Sequence, residues 1–148
     1  MSWFIKSFEE LSTHELHKIF EERVKVFVVE QDCPYQEVDD KDLHSFHVLK
    51  LEKDNALSAY ARIIPDNEMC GFGRVLVNKE YRNQGLGNEL LKVVMNYIKK
   101  EIKSSKIKIE AQSHLESFYG SFGFIKVSDE YLEDGIPHIT MVCILEED

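Results

Sequence analysis

The segment that most restricts this chain is Arg82-Asn83-Gln84-Gly85-Leu86-Gly87, because the apolar run Arg74-Val75-Leu76-Val77 precedes it and a helical pattern from Asn88 to Lys103 follows. A strand that turns into a helix leaves the first backbone N–H groups without carbonyl partners, and the helix dipole adds about half a positive charge there. Such a terminus receives anions. Gly85 and Gly87 lack the Cβ that would hold a pyrophosphate off those donors, and Arg82 supplies a forked cation at the mouth. The spacing is equally compatible with an ordinary strand-to-helix turn. It is neither a Walker loop, since no Gly-Lys-Ser/Thr follows, nor the Gly-x-Gly-x-x-Gly dinucleotide fingerprint.

Arg/Gln-x-x-Gly-x-Gly/Ala between a strand and a helix resembles the acyl-CoA signature of the GNAT acetyltransferases. A second block, Phe118-Tyr119-Gly120-Ser121-Phe122-Gly123-Phe124, follows the strand expected at Lys106 to Ala111. It resembles the Tyr-x-x-x-Gly-Phe segment of the same superfamily, in which the tyrosine often protonates the departing CoA thiolate. Three further blocks resemble the ElaA-type branch: Val28-Val29-Glu30-Gln31-x-Cys33-Pro34-Tyr35, Ala111-Gln112-x-His114-Leu115-x-x-Phe118-Tyr119, and Glu133 to Ile139. Together they span nearly the whole chain. The resemblance implies acetyl-CoA as acyl donor and an N-acetyltransferase activity, without a settled acceptor. Gln112 stands where many superfamily members carry a cofactor-binding asparagine.

Hydrophobic periodicity gives a strand at Trp3 to Phe8 and a capping box at Ser12-Thr13-His14-Glu15 that opens a helix. Leu16, Ile19, Phe20, Arg23, Val24 and Phe27 then recur at helical spacing. Phe46 to Glu52 and Leu57 to Ile64 alternate as strands around the turn formers Asp54-Asn55. Further strands are predicted at Gly71 to Val77, Ile107 to Ala111, Phe124 to Val127 and Ile139 to Leu145, with a short helix around Leu115 to Phe122. The expected fold is therefore α+β, similar to the GNAT fold: a central mixed, mostly antiparallel sheet of six to seven strands with helices on both faces. The usual second helix is replaced by a loop through Glu37 to Leu43. The 148 residues form one expected domain, 1–148, large enough to bury a core without metals or disulfides.

A net charge of −9 disfavours nucleic acid as a partner. The same charge opposes an anionic acyl-CoA, so local cations must hold it, with Arg74, Lys79 and Arg82 nearby. A cationic amine acceptor would be drawn in. Three cysteines, Cys33, Cys70 and Cys143, without a Cys-x-x-Cys, argue for reduced thiols rather than disulfides or zinc. No apolar run approaches the roughly 20 residues of a membrane span, and Lys6, Glu9 and Glu10 interrupt any leader-like segment. The expected setting is cytoplasmic, with no membrane partner; pairing through the last strands would give a homodimer.

Acyl transfer from a thioester to an amine needs a neutral nucleophile, a place for the oxyanion and a proton for the leaving sulfur. Tyr119 is the candidate acid, since a phenol titrating near about 10 stays protonated at neutral pH; a core tyrosine packed on Phe118 and Phe122 is the plainer alternative. The resemblance assigns the backbone of Val75, Leu76 and Val77 to the thioester and pantetheine arm, and Arg82, Asn83, Gln84, Gly85, Leu86, Gly87, Asn88 and Gln112 to the rest of the donor. Glu110 and His114 are candidate bases, against a solvated glutamate and a capping histidine. Glu30, Glu37, His47 and His138 are assigned to the acceptor pocket. No metal site is expected: His44-x-x-His47 lacks further ligands, and Asp39-Asp40-Lys41-Asp42 lacks the glycine and distal glutamate of a calcium loop.

Two other readings compete. Arg23, Phe27, Asp39, Asp42 and Arg62 fall in an order similar to the acyl-homoserine-lactone synthases, which share the GNAT fold and take S-adenosylmethionine as acceptor. A non-catalytic acyl-CoA-binding regulatory module is the other.

Overall fold

The computed structural model describes residues 2–145. Strand β1 (Ser2–Ser7) leads to helix α1 (Thr13–Arg23), which opens on the expected capping box: Ser12 Oγ accepts from the Glu15 amide at 3.0 Å, and Glu15 Oε1 accepts from the Ser12 amide at 2.9 Å. The helix does not stop at Arg23 but runs on as a π-helical stretch, Val24–Glu30, a rare geometry found mostly as single-turn bulges, often at functional sites. The segment expected as a plain loop carries a 3-10 turn, Asp40–His44, capped by the Asp39 side chain.

β2 (Phe46–Leu51), β3 (Leu57–Ile64) and β4 (Met69–Val77) form an antiparallel meander. Helix α2 (Leu86–Tyr97) follows the glycine loop, β5 (Lys106–Gln112) runs parallel to β4, and the short helix α3 (Glu116–Gly120) precedes β6 (Ile125–Lys126). β7 (Tyr131–Glu133) and β8 (Ile136–Ile144) close the chain. The sheet order is β1-β2-β3-β4-β5-β8-β6, with β7 on β8. Eight strands replace the expected six to seven. The addition is a hairpin turning at Asp134-Gly135, both with positive φ (50° and 78°). An Asp-Gly pair favours that turn, but three residues of β7 and Pro137 on the other arm give too little alternation to read as strands.

Alternation divides the side chains between two layers. Val48, Ala59, Ala61, Ile63, Ile107, Ile109 and Ala111 pack with Leu90, Leu91 and Val94 of α2 and Tyr119 of α3. Leu49, Leu57, Tyr60 and Leu76 pack on the other face with Ile19 of α1 and Val26 of the π stretch. Each cluster is continuous, which fixes the strand register, since a one-residue slip would exchange the layers.

Candidate active site

The sheet opens at its centre. β4 and β5 pair only at Met69 with Lys106 and Cys70 with Ile107, and beyond those two pairs the strands diverge. A bulge turns β4 away: Gly73 pairs with Arg62 and Leu76 with Tyr60, so β4 holds one extra residue there, and Arg74 takes a left-handed φ of 51°. The resulting cleft, about 740 Å³, is lined by β4 from Phe72 to Val77, by Ile109 to Gln112 of β5, and by residues of both layers. Val75, Leu76 and Val77 are thus part of its wall.

On the α2 side, Gly85 is the helix N-cap with φ 79°, and no side chain caps the exposed amides of the first turn. A Cβ on Gly87 would lie 3.7 Å from the Phe118 ring, so the glycine leaves open the space between α2 and α3. An uncapped twelve-residue helix with a glycine at its mouth suits a pyrophosphate. Arg82 and Gly87 line the cleft. Asn83, Gln84, Leu86 and Asn88 surround the same helix start without contributing to the cleft wall, Leu86 being buried. Arg82 forms a bidentate pair with Glu30 (2.7 and 2.9 Å) and donates to the Val77 carbonyl at 2.9 Å. The loop cation is therefore tied to the end of the π stretch.

Tyr119 reaches the cleft from α3, 6% exposed, its ring against Phe72, Phe118 and Phe124. Burial pushes its phenol up to about 12, so it keeps its proton at neutral pH. Phe122 packs on Phe118 instead of on the tyrosine. Glu110 and Gln112 lie on the opposite face of β5, as the alternation of its buried residues requires, and both line the cleft. Gln112 Nε2 donates to Gln31 Oε1 at 3.3 Å, joining β5 to the end of the π stretch. His114 and His138 also line the cleft.

Glu37 and His47, assigned from sequence to the acceptor pocket, are instead sunk in a charge network beside it and do not line the cleft. Arg23, fully buried, donates Nε to both Glu37 carboxylate oxygens (3.0 and 3.1 Å), Nη1 to Asp42 at 2.6 Å, and Nη2 to the Glu37 carbonyl at 3.0 Å. Arg62 bridges Asp39 (2.6 and 3.0 Å) and Asp42 (3.0 Å). Arg74, expected near the phosphates, turns to this network: Nη2 donates to the Glu37 carbonyl at 2.8 Å and the guanidinium stacks over Tyr35 at 5.2 Å. Its Nε lies against the Glu37 carboxylate but out of line for a hydrogen bond. His47 Nε2 bonds to the Asp42 carbonyl at 2.9 Å, which can only accept, so Nδ1 accepts from the Tyr60 hydroxyl at 2.6 Å. Burial holds this imidazole below its ordinary value and hence neutral. Burial also raises Asp42, but Arg23 and Arg62 outweigh it and leave the carboxyl below its usual range. The periodicity of α1 had marked Arg23 as inward-facing; its partners, fourteen and nineteen residues away, carry no such signal.

A mixed sheet splayed at its centre, with a glycine-mouthed helix on one side and a buried tyrosine on the same side, is an acyltransferase architecture. The acetyltransferase (GNAT) domain model matches residues 13–145, and the chain belongs to that family. Within it the chain belongs to the ElaA-like branch. Protein ElaA of Escherichia coli K12 is 40% identical over 146 residues, covering 95% of each chain, and the crystal structure of Escherichia coli ElaA superposes with a TM-score of 0.88 at 39% identity over 97% of this chain and 99% of that one. An acyl-CoA N-acyltransferase from Pseudomonas aeruginosa superposes with a TM-score of 0.86 at 35% identity, covering 97% and 99%. The CoA-dependent acyl-homoserine lactone synthase BjaI shares the fold (TM-score 0.79) at 16% identity, covering 96% of this chain and 82% of that one. No helix among the described residues is long and apolar enough to cross a membrane.

Proposed function

We propose that this protein transfers the acetyl group of acetyl-CoA to a primary amine by direct attack in a ternary complex. The observation that carries the reading is the division of the splayed cleft: the uncapped α2 terminus and Tyr119 lie in one layer, and Glu110, Gln112 and His138 face the other. Donor and acceptor then enter from opposite faces and meet between β4 and β5. The α2 amides and Arg82 bind the pyrophosphate, with Asn83, Gln84 and Asn88 around them, and the edge of β4 that faces away from β3, open toward β5 from Val75 to Val77, holds the pantetheine arm and the thioester carbonyl. Tyr119 donates its proton to the departing sulfur. His114 stands at the rim of the acceptor face. Buried free thiols at Cys33, Cys70 and Cys143 suit a cytoplasmic setting.

The test is calorimetric titration with acetyl-CoA of the protein and of Gly87→Glu, followed by an amine screen with thiol release as the signal. Gly87 is the better variant because Gly85 needs a left-handed backbone, whereas a Cβ at Gly87 meets only ordinary contact. Micromolar binding lost in Gly87→Glu supports the donor site. Equal binding by both proteins removes the cofactor from the loop, and binding without turnover of any amine leaves the regulatory module.

A further inference from the structure

The ammonium of an amine acceptor must lose a proton before it can attack, and the cleft holds one nitrogen with a lone pair already set for it. His138 sits at the start of β8, directly opposite Gln112 of β5, on the face away from Ile139 and Met141 of the core. That is the acceptor face. Its Nδ1 lies 2.7 Å from the Ile136 carbonyl, which can only accept, so in the neutral ring Nδ1 carries the hydrogen and Nε2 the lone pair. The ring is stacked on Tyr131 of β7 (centroids 6.2 Å apart, 24° between planes), and the Tyr131 hydroxyl is tied to Thr140. Orientation and tautomer are both fixed by the β7–β8 hairpin.

The Glu133 carboxylate lies 3.5 Å from Nε2. A histidine placed only to brace the hairpin would have a donor there. A carboxylate cannot donate, so Glu133 can meet Nε2 in a hydrogen bond only while Nε2 carries a proton. Other titratable groups around it are Glu110, two residue pairs along the β5–β8 ladder at Thr140, His114 and Cys33 in the same cleft, the stacked Tyr131, and Asp134 in the hairpin turn, whose carbonyl accepts from Cys33 Sγ at 3.2 Å.

We infer that His138 is the general base of the acceptor side and Glu133 the positioning carboxylate that holds the imidazolium it becomes, an assignment that rests on the amine-acetylation reading. The ammonium gives one proton to Nε2, and the freed lone pair attacks the thioester carbon. The C–S bond then breaks, the sulfur takes the Tyr119 proton, and the second proton lost from nitrogen restores the phenol. The products are the amide, the free thiol and one proton, which leaves His138 for solvent. Acid and base work from opposite faces of the sheet, so neither neutralises the other.

The experiment measures thiol release from saturating acetyl-CoA with a panel of primary alkylamines from ethylamine to putrescine, for the unaltered protein, His138→Gln, Glu133→Gln and Glu110→Gln. Acetyl-CoA titration confirms in each that the donor site is intact. His138→Gln is expected to lower kcat about 100-fold or more, to leave the titrated affinity for acetyl-CoA unchanged and to abolish the acid limb of the kcat/KM profile for the amine. Glu133→Gln is expected to lower kcat by a smaller factor, about threefold to tenfold, and to move that limb to lower pH. A His138→Gln protein that loses less than about threefold and keeps the limb, with the loss found in Glu110→Gln instead, overturns the assignment while the acetylation reading stands. An unaltered protein that binds acetyl-CoA but acetylates no amine of the panel refutes the transfer itself. Nitrogen-15 imidazole spectra give an answer independent of turnover: a proton on Nε2 of His138 refutes the base in either case.

Discussion

Replacing Arg23 with methionine should cost this fold about 3 kcal/mol, near the lower end of what breaking a buried ion pair costs. The figure follows from the partners left behind. Arg23 is fully buried and every one of its nitrogens donates to Glu37 or Asp42. Without it both carboxylates stay buried, at 3% and 2% exposure, but neither is wholly orphaned: Glu37 keeps Arg74, and Asp42 keeps Arg62 at 3.0 Å. Methionine fills most of the aliphatic volume, so the loss is electrostatic, with little added cavity. For a chain of this size, a loss of about 3 kcal/mol lowers Tm by roughly 6–12 °C and the urea midpoint by roughly 1–2 M. Urea unfolding followed by circular dichroism at pH 7 measures it. Adding Asp42→Asn to Arg23→Met should recover about 1 kcal/mol, because the second change removes a charge that has lost half its partners. A loss below about 1 kcal/mol for Arg23→Met, with no recovery in the pair, would refute the reasoning and mean that desolvation of the guanidinium already cancels its attractions.

Tyr119→Phe should leave urea stability within about 0.5 kcal/mol, since the ring contacts with Phe72, Phe118 and Phe124 survive, while lowering kcat about 100-fold or more; unchanged kcat in an amine assay would remove the tyrosine from the chemistry. Glu30→Gln frees Arg82 from its half-exposed carboxylate partner and should tighten acetyl-CoA binding by up to about fivefold, read by calorimetry, with weaker binding as the refuting result. Stability should fall toward acid in two stages. His47, depressed by burial, contributes stability that is complete above its unfolded value of about 6.5 and is lost as pH drops through its lower folded value. Asp42, depressed below its unfolded value of about 3.8, adds a second loss at lower pH. Urea midpoints from pH 8 to pH 3 trace both stages, and a flat profile between pH 7 and pH 5 would sink the His47 part.

The layers and the sheet were legible because they rest on local signals: the Ser12 capping box, the period-two runs of β2, β3 and β5, and the glycines at a strand-to-helix junction. The β7–β8 hairpin was not, since its register is set by pairing with long β8 rather than by its own three residues. The charge network was hidden for a different reason. Sequence patterns read Arg, Glu and Asp as surface residues, and nothing local reports that Arg23, Glu37, Asp42, Arg62 and Arg74 converge. Sequence alone thus assigns Glu37 and His47 to the acceptor pocket, whereas both are buried in this network beside the cleft. His138 was assigned to that pocket, but its tautomer depends on the Ile136 carbonyl, which only the hairpin brings within reach.

The gap between β4 and β5 also bears on how the protein avoids its own kind. A sheet that parts in the middle has two inner edges, each with unpaired backbone groups that invite a strand from another chain, the usual route to aggregation. The extra residue at Arg74 answers that risk: it breaks the two-residue repeat of β4 midway along the opening, so an intruding strand finds at most a short register before the pattern slips. The distortion that opens the cleft thus also makes its inner edge a poor template for β-addition.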